Sequence, residues 1–219
     1  MKAVLIYSGG LDSTTLLYEF RESIALAVSF DYGSKHNARE IEYARKNCAR
    51  AGVRHLVIPL DFMGRYFRSD LLLSGGGIPE GAYDSENMSS TVVPFRNGIM
   101  LSIAAGLAES YGLDTIMMAN HSGDHSIYPD CTPEFTQAFG KAVEYGTGKV
   151  GKPGSGVRLV SPYCNITKRQ IALRGRDLGV DYSLTYSCYK GGEHHCGKCG
   201  TCVERKEALE GFDPTEYLF

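Results

Sequence analysis

The sequence predicts an α/β fold: an open parallel sheet of about five strands with helices on both faces, beside a small C-terminal subdomain that binds zinc through four cysteines. Three observations lead there. Short apolar runs alternate with longer helical patterns, which is the order of a parallel sheet covered on both sides. The first apolar run enters a glycine-rich turn, "YSGGLDSTT" at Tyr7–Thr15, that opens a helix. Cys188, Cys196, Cys199 and Cys202 crowd into fifteen residues.

The strands are expected at Ala3–Tyr7, Ile24–Phe30, Leu56–Leu60, Thr115–Ala119 and Val157–Ser161, each a short apolar run. The first helix starts at Asp12 or Ser13, both good N-caps, with Leu16, Leu17 and Phe20 on one face. Asn37–Gly52 has a cap, a polar face and a closing glycine. Asn97–Gly112 is apolar nearly all round and reads as a buried helix. Pro133–Gly146 and Lys168–Gly179 complete the set. Two segments interrupt the alternation. Asp61–Pro94 is long enough to be a lid, a binding loop or a disordered stretch. Tyr145–Gly156 is rich in Gly and Lys and reads as a surface loop. The expected division is an α/β part that carries the glycine loop over 1–180 and a zinc-binding part over 181–219.

The chain has 219 residues, 43% of them hydrophobic, enough for a full core. A net charge of −2 gives no global basic field, so direct nucleic-acid binding is not expected. No run approaches a membrane span, and the apolar run after Lys2 is too short for a signal peptide. The expected location is cytoplasmic. Seven cysteines, four of them clustered, point in a reducing compartment to a metal rather than to disulfides.

"SGGLDS" sits where ligands of parallel sheets bind, beyond the carboxyl end of a strand. Gly9 and Gly10 let the backbone approach an anion, and the following helix adds its positive dipole end. Ser8, Ser13, Thr14 and Thr15 offer hydroxyls. Asp12 suits a Mg²⁺ that bridges phosphates, or else fixes the loop by accepting backbone N–H groups. Neither G-x-x-x-x-G-K-[ST] nor G-x-G-x-x-G is present. The plain alternative is an ordinary strand-to-helix turn.

The cysteines follow C-x₇-C-x₂-C-x₂-C. Four thiolates in tetrahedral array suit one structural Zn²⁺ with no open position; an iron–sulfur cluster and redox-active thiols are the alternatives. Lys190, Lys198, Arg205 and Lys206 stand ready to offset the thiolate charge. His194 and His195 read as surface or supporting residues, and Cys48, Cys131 and Cys164 as small buried ones.

"SGGLDSTT" resembles the pyrophosphate loop of the ATP pyrophosphatase (PP-loop) superfamily, which has an adenine-nucleotide alpha-hydrolase-like fold. With the cysteine cluster, "FDYGSKHNAREIEYA", "STVVPFRN", "YPDCTPEF" and "LTYSCYKGGEHHCGKCGTCVER", the chain resembles the 7-cyano-7-deazaguanine synthases of the queuosine pathway. Phe95 stands where the common form of that family has Gly, and "MMANHSGDHSIYPD" where many members have "GVCETDFSGYPD". The resemblance implies ATP-dependent conversion of 7-carboxy-7-deazaguanine and ammonia to the 7-cyano compound. Carboxylate and then amide are adenylated, and ATP is cleaved to AMP and pyrophosphate. It makes the enzyme a ligase forming a C–N bond.

On that reading Ser8, Gly9, Gly10, Leu11, Asp12, Ser13, Thr14 and Thr15 hold the nucleotide and its Mg²⁺, with Phe30 and Tyr32 flanking the adenine. Asp12, Arg96 and Lys168 are the expected catalytic residues. Arg96 clamps a carboxylate or phosphate, and Asp124 and Asp130 read the guanine-like edge. Lys168 reaching a phosphate competes with a surface role. His121 and His125, four apart, are a possible second metal site or ordinary loop histidines. The expected partners are small molecules alone, and the expected assembly is a homodimer. A tRNA thiolase, an amidating synthetase, an inert-loop zinc module and a different amine acceptor are the competing readings.

Overall fold

The structure, a computed structural model, describes residues 2–148, 152 and 154–219. Residues 149–151 and 153, within the loop expected at Tyr145–Gly156, lie outside the described residues. The strands are β1 (Ala3–Ile6), β2 (Ile24–Asp31), β3 (His55–Pro59), β4 (Thr115–Met117) and β5 (Arg158–Val160). The helices are α1 (Leu11–Glu19), α2 (Asn37–Ala51), α3 (Asp61–Tyr66), α4 (Ser85–Met88), α5 (Arg96–Ser110), α6 (Pro133–Gly146), α7 (Lys168–Asp177) and α8 (Gly200–Ala208). All pairings are parallel, in the order β3-β2-β1-β4-β5.

Strand periodicity splits the core in two. Val4, Val28 and Ile116 point to one face and pack with Leu101 and Ala104 of α5. Leu5, Ala27 and Met117 point to the other and pack with Leu16 and Leu17 of α1 and Ile171 of α7. Tyr182, Ala208 and Leu209 join this second cluster. The chain order reverses between β1 and β4, which opens a crevice at their carboxyl ends.

Local chemistry explains the element ends. α1 begins earlier than expected: Gly10, not Asp12 or Ser13, is its N-cap, with extended backbone and no side-chain cap bond. Asp12 and Ser13 therefore sit inside the first turn rather than at the cap. Asn37 opens α2 and bonds backward instead, its Oδ1 accepting from Tyr32 N and Ser34 N and its Nδ2 donating to Phe30 O. α7 has a full capping box of Thr167 and Gln170. Phe95 is the one non-glycine residue with positive φ among the described residues, at 51° just ahead of α5.

The segment Asp61–Pro94 is more ordered than expected. It contains α3, α4 and a 3₁₀ turn at Ser89–Thr91, and it buries Met63, Leu71, Leu72 and Met88 completely. Its helices are too short to show a hydrophobic period, which hid them in the sequence. No helix of the described residues is long and apolar enough to cross a membrane.

Candidate active site

A cavity lies over the carboxyl ends of β1, β2 and β4, bordered by Ile6, Tyr7, Phe30 and Met118. It opens to solvent at its mouth and is lined by both polar and apolar side chains. Ser8, Gly10, Leu11, Asp12 and Ser13 form one wall. The first turn of a helix leaves its N–H groups without intrahelical partners, and here that turn faces the cavity. The Ser8 hydroxyl accepts from Gly10 N at 3.1 Å and meets Ser13 Oγ at 3.0 Å, which holds the loop open.

Gly9 does not line the cavity; it makes the loop possible. Its φ is +87°, and a Cβ there would lie 2.4 Å from Glu40 O and 2.9 Å from Ala44 N of α2. Thr14 and Thr15 also face away from the cavity. Both are fully buried. Thr14 Oγ1 bonds Tyr7 OH at 3.0 Å, and Thr15 Oγ1 bonds Leu11 O and Tyr182 OH. Helical rotation turns these two hydroxyls into the core, so they brace the loop rather than bind at it.

One end of the cavity is a buried charge cluster. Lys168 Nζ lies 3.1 Å from Asp12 Oδ2 and 2.8 Å from Glu204 Oε2. His121, 1% exposed, places Nε2 3.5 Å from Asp124 Oδ1 and 3.6 Å from Glu204 Oε1. Burial opposes the Lys168 charge, yet Asp12 and then Glu204 outweigh it and raise the ammonium above the ordinary lysine range. At Glu204 burial wins over Lys168 and raises the carboxyl. The two directions conflict for one pair. The three carboxylates around a single Lys explain it: Lys168 is over-supplied with counter-charge, and each acid is under-supplied. Asp12 Oδ1 is buried with no hydrogen-bond partner among the described residues. An orphaned carboxylate oxygen beside the phosphate loop fits a hard dication such as Mg²⁺.

The other end is aromatic. Arg96 donates to Tyr32 OH at 3.2 Å, and its guanidinium lies 5.7 Å from the Tyr32 ring centroid and 5.9 Å from that of Tyr128. Tyr128 OH meets Tyr189 OH at 3.1 Å. Burial raises the Tyr32 and Tyr189 phenols, so both are neutral. Arg96 makes no ion pair among the described residues, so its charge is free for an anion.

Asp124 lines the cavity, but its Oδ1 accepts from Tyr83 OH at 3.0 Å and its Oδ2 from His121 N at 3.1 Å. Asp130 does not line it: both oxygens accept from Asn97, the backbone N at 2.8 Å and Nδ2 at 3.2 Å, which fixes the start of α5. His121 and His125 do not share a site, since His125 Nε2 turns to Cys164 Sγ at 3.7 Å. Sequence reasoning missed Glu204, Tyr83, Tyr128, Tyr189, His36 and Glu40. The last two had a readable signal, an i,i+4 pair just after the second strand.

Cys188, Cys196, Cys199 and Cys202 are buried, and their Sγ atoms all lie within 4.8 Å of one another. Cys196 and Cys202 are 4.0 Å apart, against about 3.8 Å for two sulfurs on one tetrahedral Zn²⁺. As bare thiols, hydrogen bonds from Cys188 and Cys202 pull Cys199 far below the ordinary range, and contacts with Cys188 and Cys199 push Cys202 far above it. A dication would let all four ionise, so the donor set fits zinc. Cys199 is also the N-cap of α8, the helix that carries Glu204 to Lys168. His195 is buried and accepts from Ser187 N at 3.1 Å, whereas His194 is half-exposed beside Glu216. Cys48, Cys131 and Cys164 are buried, as expected.

A family model described as "Queuosine biosynthesis protein QueC" matches residues 2–213. A 7-cyano-7-deazaguanine synthase of Porphyromonas gingivalis is 63% identical over 218 residues, 98% of this chain and 96% of that one. A 7-cyano-7-deazaguanine synthase of Desulfotalea psychrophila is 51% identical over 221 residues, covering 99% and 98%. Among solved structures, an NMN synthetase from Francisella tularensis superposes with a TM-score of 0.50 at 13% identity, over 88% of this chain and 68% of that one. That likeness concerns the fold alone.

Proposed function

The chain belongs to the QueC family of queuosine biosynthesis proteins, and from that premise we propose that it makes 7-cyano-7-deazaguanine from 7-carboxy-7-deazaguanine and ammonia. ATP is cleaved to AMP and pyrophosphate at each of two adenylations. One observation carries the reading: a single cavity joins a phosphate loop, a lysine held by carboxylates and an arginine free for an anion.

The substrate carboxylate docks on Arg96, beside the hydroxyl of Tyr32. Its oxygen attacks the α-phosphorus of ATP and pyrophosphate leaves. The N–H groups at Gly10–Ser13 and the Ser8 and Ser13 hydroxyls take up the charge that develops on the leaving group. Lys168, still protonated, faces the same place. Ammonia then displaces AMP to give the amide. The amide oxygen is adenylated in turn, and loss of AMP and a proton leaves the nitrile. No side chain forms a covalent bond; the protein orients the reactants and neutralises charge. Mg²⁺ held by Asp12 supplies phosphate charge neutralisation when bound. Zn²⁺ on the four cysteines is structural: it fixes α8, and through it Glu204.

Thr14, Thr15 and Gly9 shape the loop, and Phe30 flanks the adenine. Asp130 acts on the site through Asn97. We assign the ATP-binding part to 1–180 and the zinc-binding part to 181–219. A cytoplasmic setting, where the clustered thiols stay reduced for a metal, and a homodimer belong to the same reading. The net charge of −2 supports small-molecule partners rather than nucleic acid.

The test is to incubate the protein with 7-carboxy-7-deazaguanine, ammonia and Mg·ATP, and to follow product mass and AMP. The expected result is the nitrile with two AMP per product. Amide with one AMP would restrict the function to the first half, and an unchanged substrate mass would sink it.

A further inference from the structure

The substrate of the proposed reaction carries a guanine-like edge, an N1–H next to a 2-amino group. Such an edge presents adjacent donors and calls for acceptors, above all a carboxylate. Three carboxylates line the cavity: Asp12, Glu40 and Asp124. Asp12 belongs to the phosphate loop and pairs with Lys168 at 3.1 Å. Asp124 has both oxygens engaged, by Tyr83 and by the backbone of His121. Glu40 is different. Its Oε2 lies 3.3 Å from His36 Nε2, and its Oε1 has no protein partner among the described residues.

His36 also borders the cavity, and it is 2% exposed. Its ring stacks on Tyr189 at 5.0 Å and 21°, which fixes its plane. Its Nδ1 is buried without a hydrogen-bond partner among the described residues. In the neutral tautomer that carries its proton on Nε2, facing the Glu40 carboxylate, Nδ1 is an acceptor. In that tautomer the pair offers acceptors only. Tyr32 links it to the other substrate contact: its ring meets His36 edge-on at 6.4 Å, and its hydroxyl accepts from Arg96.

We propose that Glu40 and His36 read the N–H donors of the deazaguanine base while Arg96 holds its carboxylate, so that Glu40 is a specificity-determining residue. This rests on the function proposed above. The same pair repels adenine, whose matching edge places an acceptor nitrogen beside its amino group, and so keeps the base of ATP out of the substrate's place.

The experiment compares 7-carboxy-7-deazaguanine with its analogue lacking the 2-amino group, in the wild type, Glu40→Gln and Glu40→Ala. The wild type should prefer the amino compound by about a hundredfold in kcat/KM. Both variants should lose most of that preference, with KM for ATP unchanged. Calorimetry with 7-deazaguanine and its 2-deamino analogue, neither of which can react, reads the same edge without turnover. Preference retained in both variants, a rise in the KM for ATP instead, or equal wild-type binding of the two unreactive bases would overturn the proposal. Absent turnover with intact base discrimination would overturn the reaction and leave the Glu40 reading standing. Thermal melts of the isosteric Glu40→Gln variant separate recognition from folding.

Discussion

At one end of the cavity Lys168 lies between Asp12 and Glu204, its charge matched twice over. At the other, Arg96 rests on the rings of Tyr32 and Tyr128 and meets no carboxylate within ion-pair reach. Both are cations on the wall of one cavity, yet their surroundings assign them different work. A cation already neutralised by acids adds little to the binding of an anion; it matters when new negative charge develops beside it. A cation set among rings keeps its attraction for a ground-state anion. The Lys168 end should therefore govern kcat, and the Arg96 end KM for the acid.

The largest expected effect comes from breaking the charge cluster. Lys168→Met leaves Asp12, Asp124 and Glu204 facing one another with only His121 between them. We expect kcat to fall about a thousandfold and stability to fall by about 3 kcal/mol, the cost of a buried pair that loses one partner. Steady-state kinetics and urea unfolding check both. A variant that raised the KM for the acid while keeping kcat would reverse the assignment of the two ends.

Next comes Arg96→Ala, for which we expect KM for 7-carboxy-7-deazaguanine to rise about a hundredfold, with KM for ATP unchanged. Arg96→Lys should recover only part of the loss, because a point charge lacks the planar fork. A fall in kcat alone would move Arg96 to the phosphate side.

The two ends also differ in how far the sequence disclosed them. The glycine loop is one continuous stretch behind a strand, so the place of Ser8, Gly10, Asp12 and Ser13 along the cavity was legible. So were all five strands, because a parallel strand buried on both faces is a plain apolar run. The cysteine cluster was legible from spacing alone. The aromatic end is assembled from Tyr32, Tyr128 and Tyr189, which stand far apart in the chain and meet only through the fold. Glu204 was hidden for the same reason: nothing near it in sequence signals that α8 delivers it to Lys168. Thr14 and Thr15 show the opposite failure. Composition placed them in the loop, and helical rotation turned them inward. Asp130 sits beside the site in sequence but spends both oxygens on Asn97.

A smaller effect tests how the ends are joined. Gly9 packs the phosphate loop on the backbone of α2, whose N-cap is His36 and whose first turn holds Glu40. Gly9→Ala puts a methyl group 2.4 Å from Glu40 O at a φ of +87°. We expect about 2 kcal/mol of destabilisation from the left-handed backbone and the contact together. KM should rise for ATP and for the acid alike. Separate responses of the two KM values would show that the ends move independently.

The smallest effect lies in the floor between the ends. Ser29 Oγ donates to Tyr7 O at 2.6 Å and meets His55 Nε2 at 2.8 Å, so a histidine braces the strand that leads into the phosphate loop. Burial, and then Arg45, lowers the His55 pKa below its ordinary value of 6.5. The folded chain thus gives up this proton more readily than the unfolded chain. On acidification the unfolded state binds the proton first, so the stability from neutral His55 is full above about pH 6.5 and is lost as pH falls below it. His55→Gln removes the titration and keeps a polar partner for Ser29. Urea midpoints at about pH 7.5 and 5.5 should differ less in the variant than in the wild type. An unchanged difference would place the acid sensitivity elsewhere.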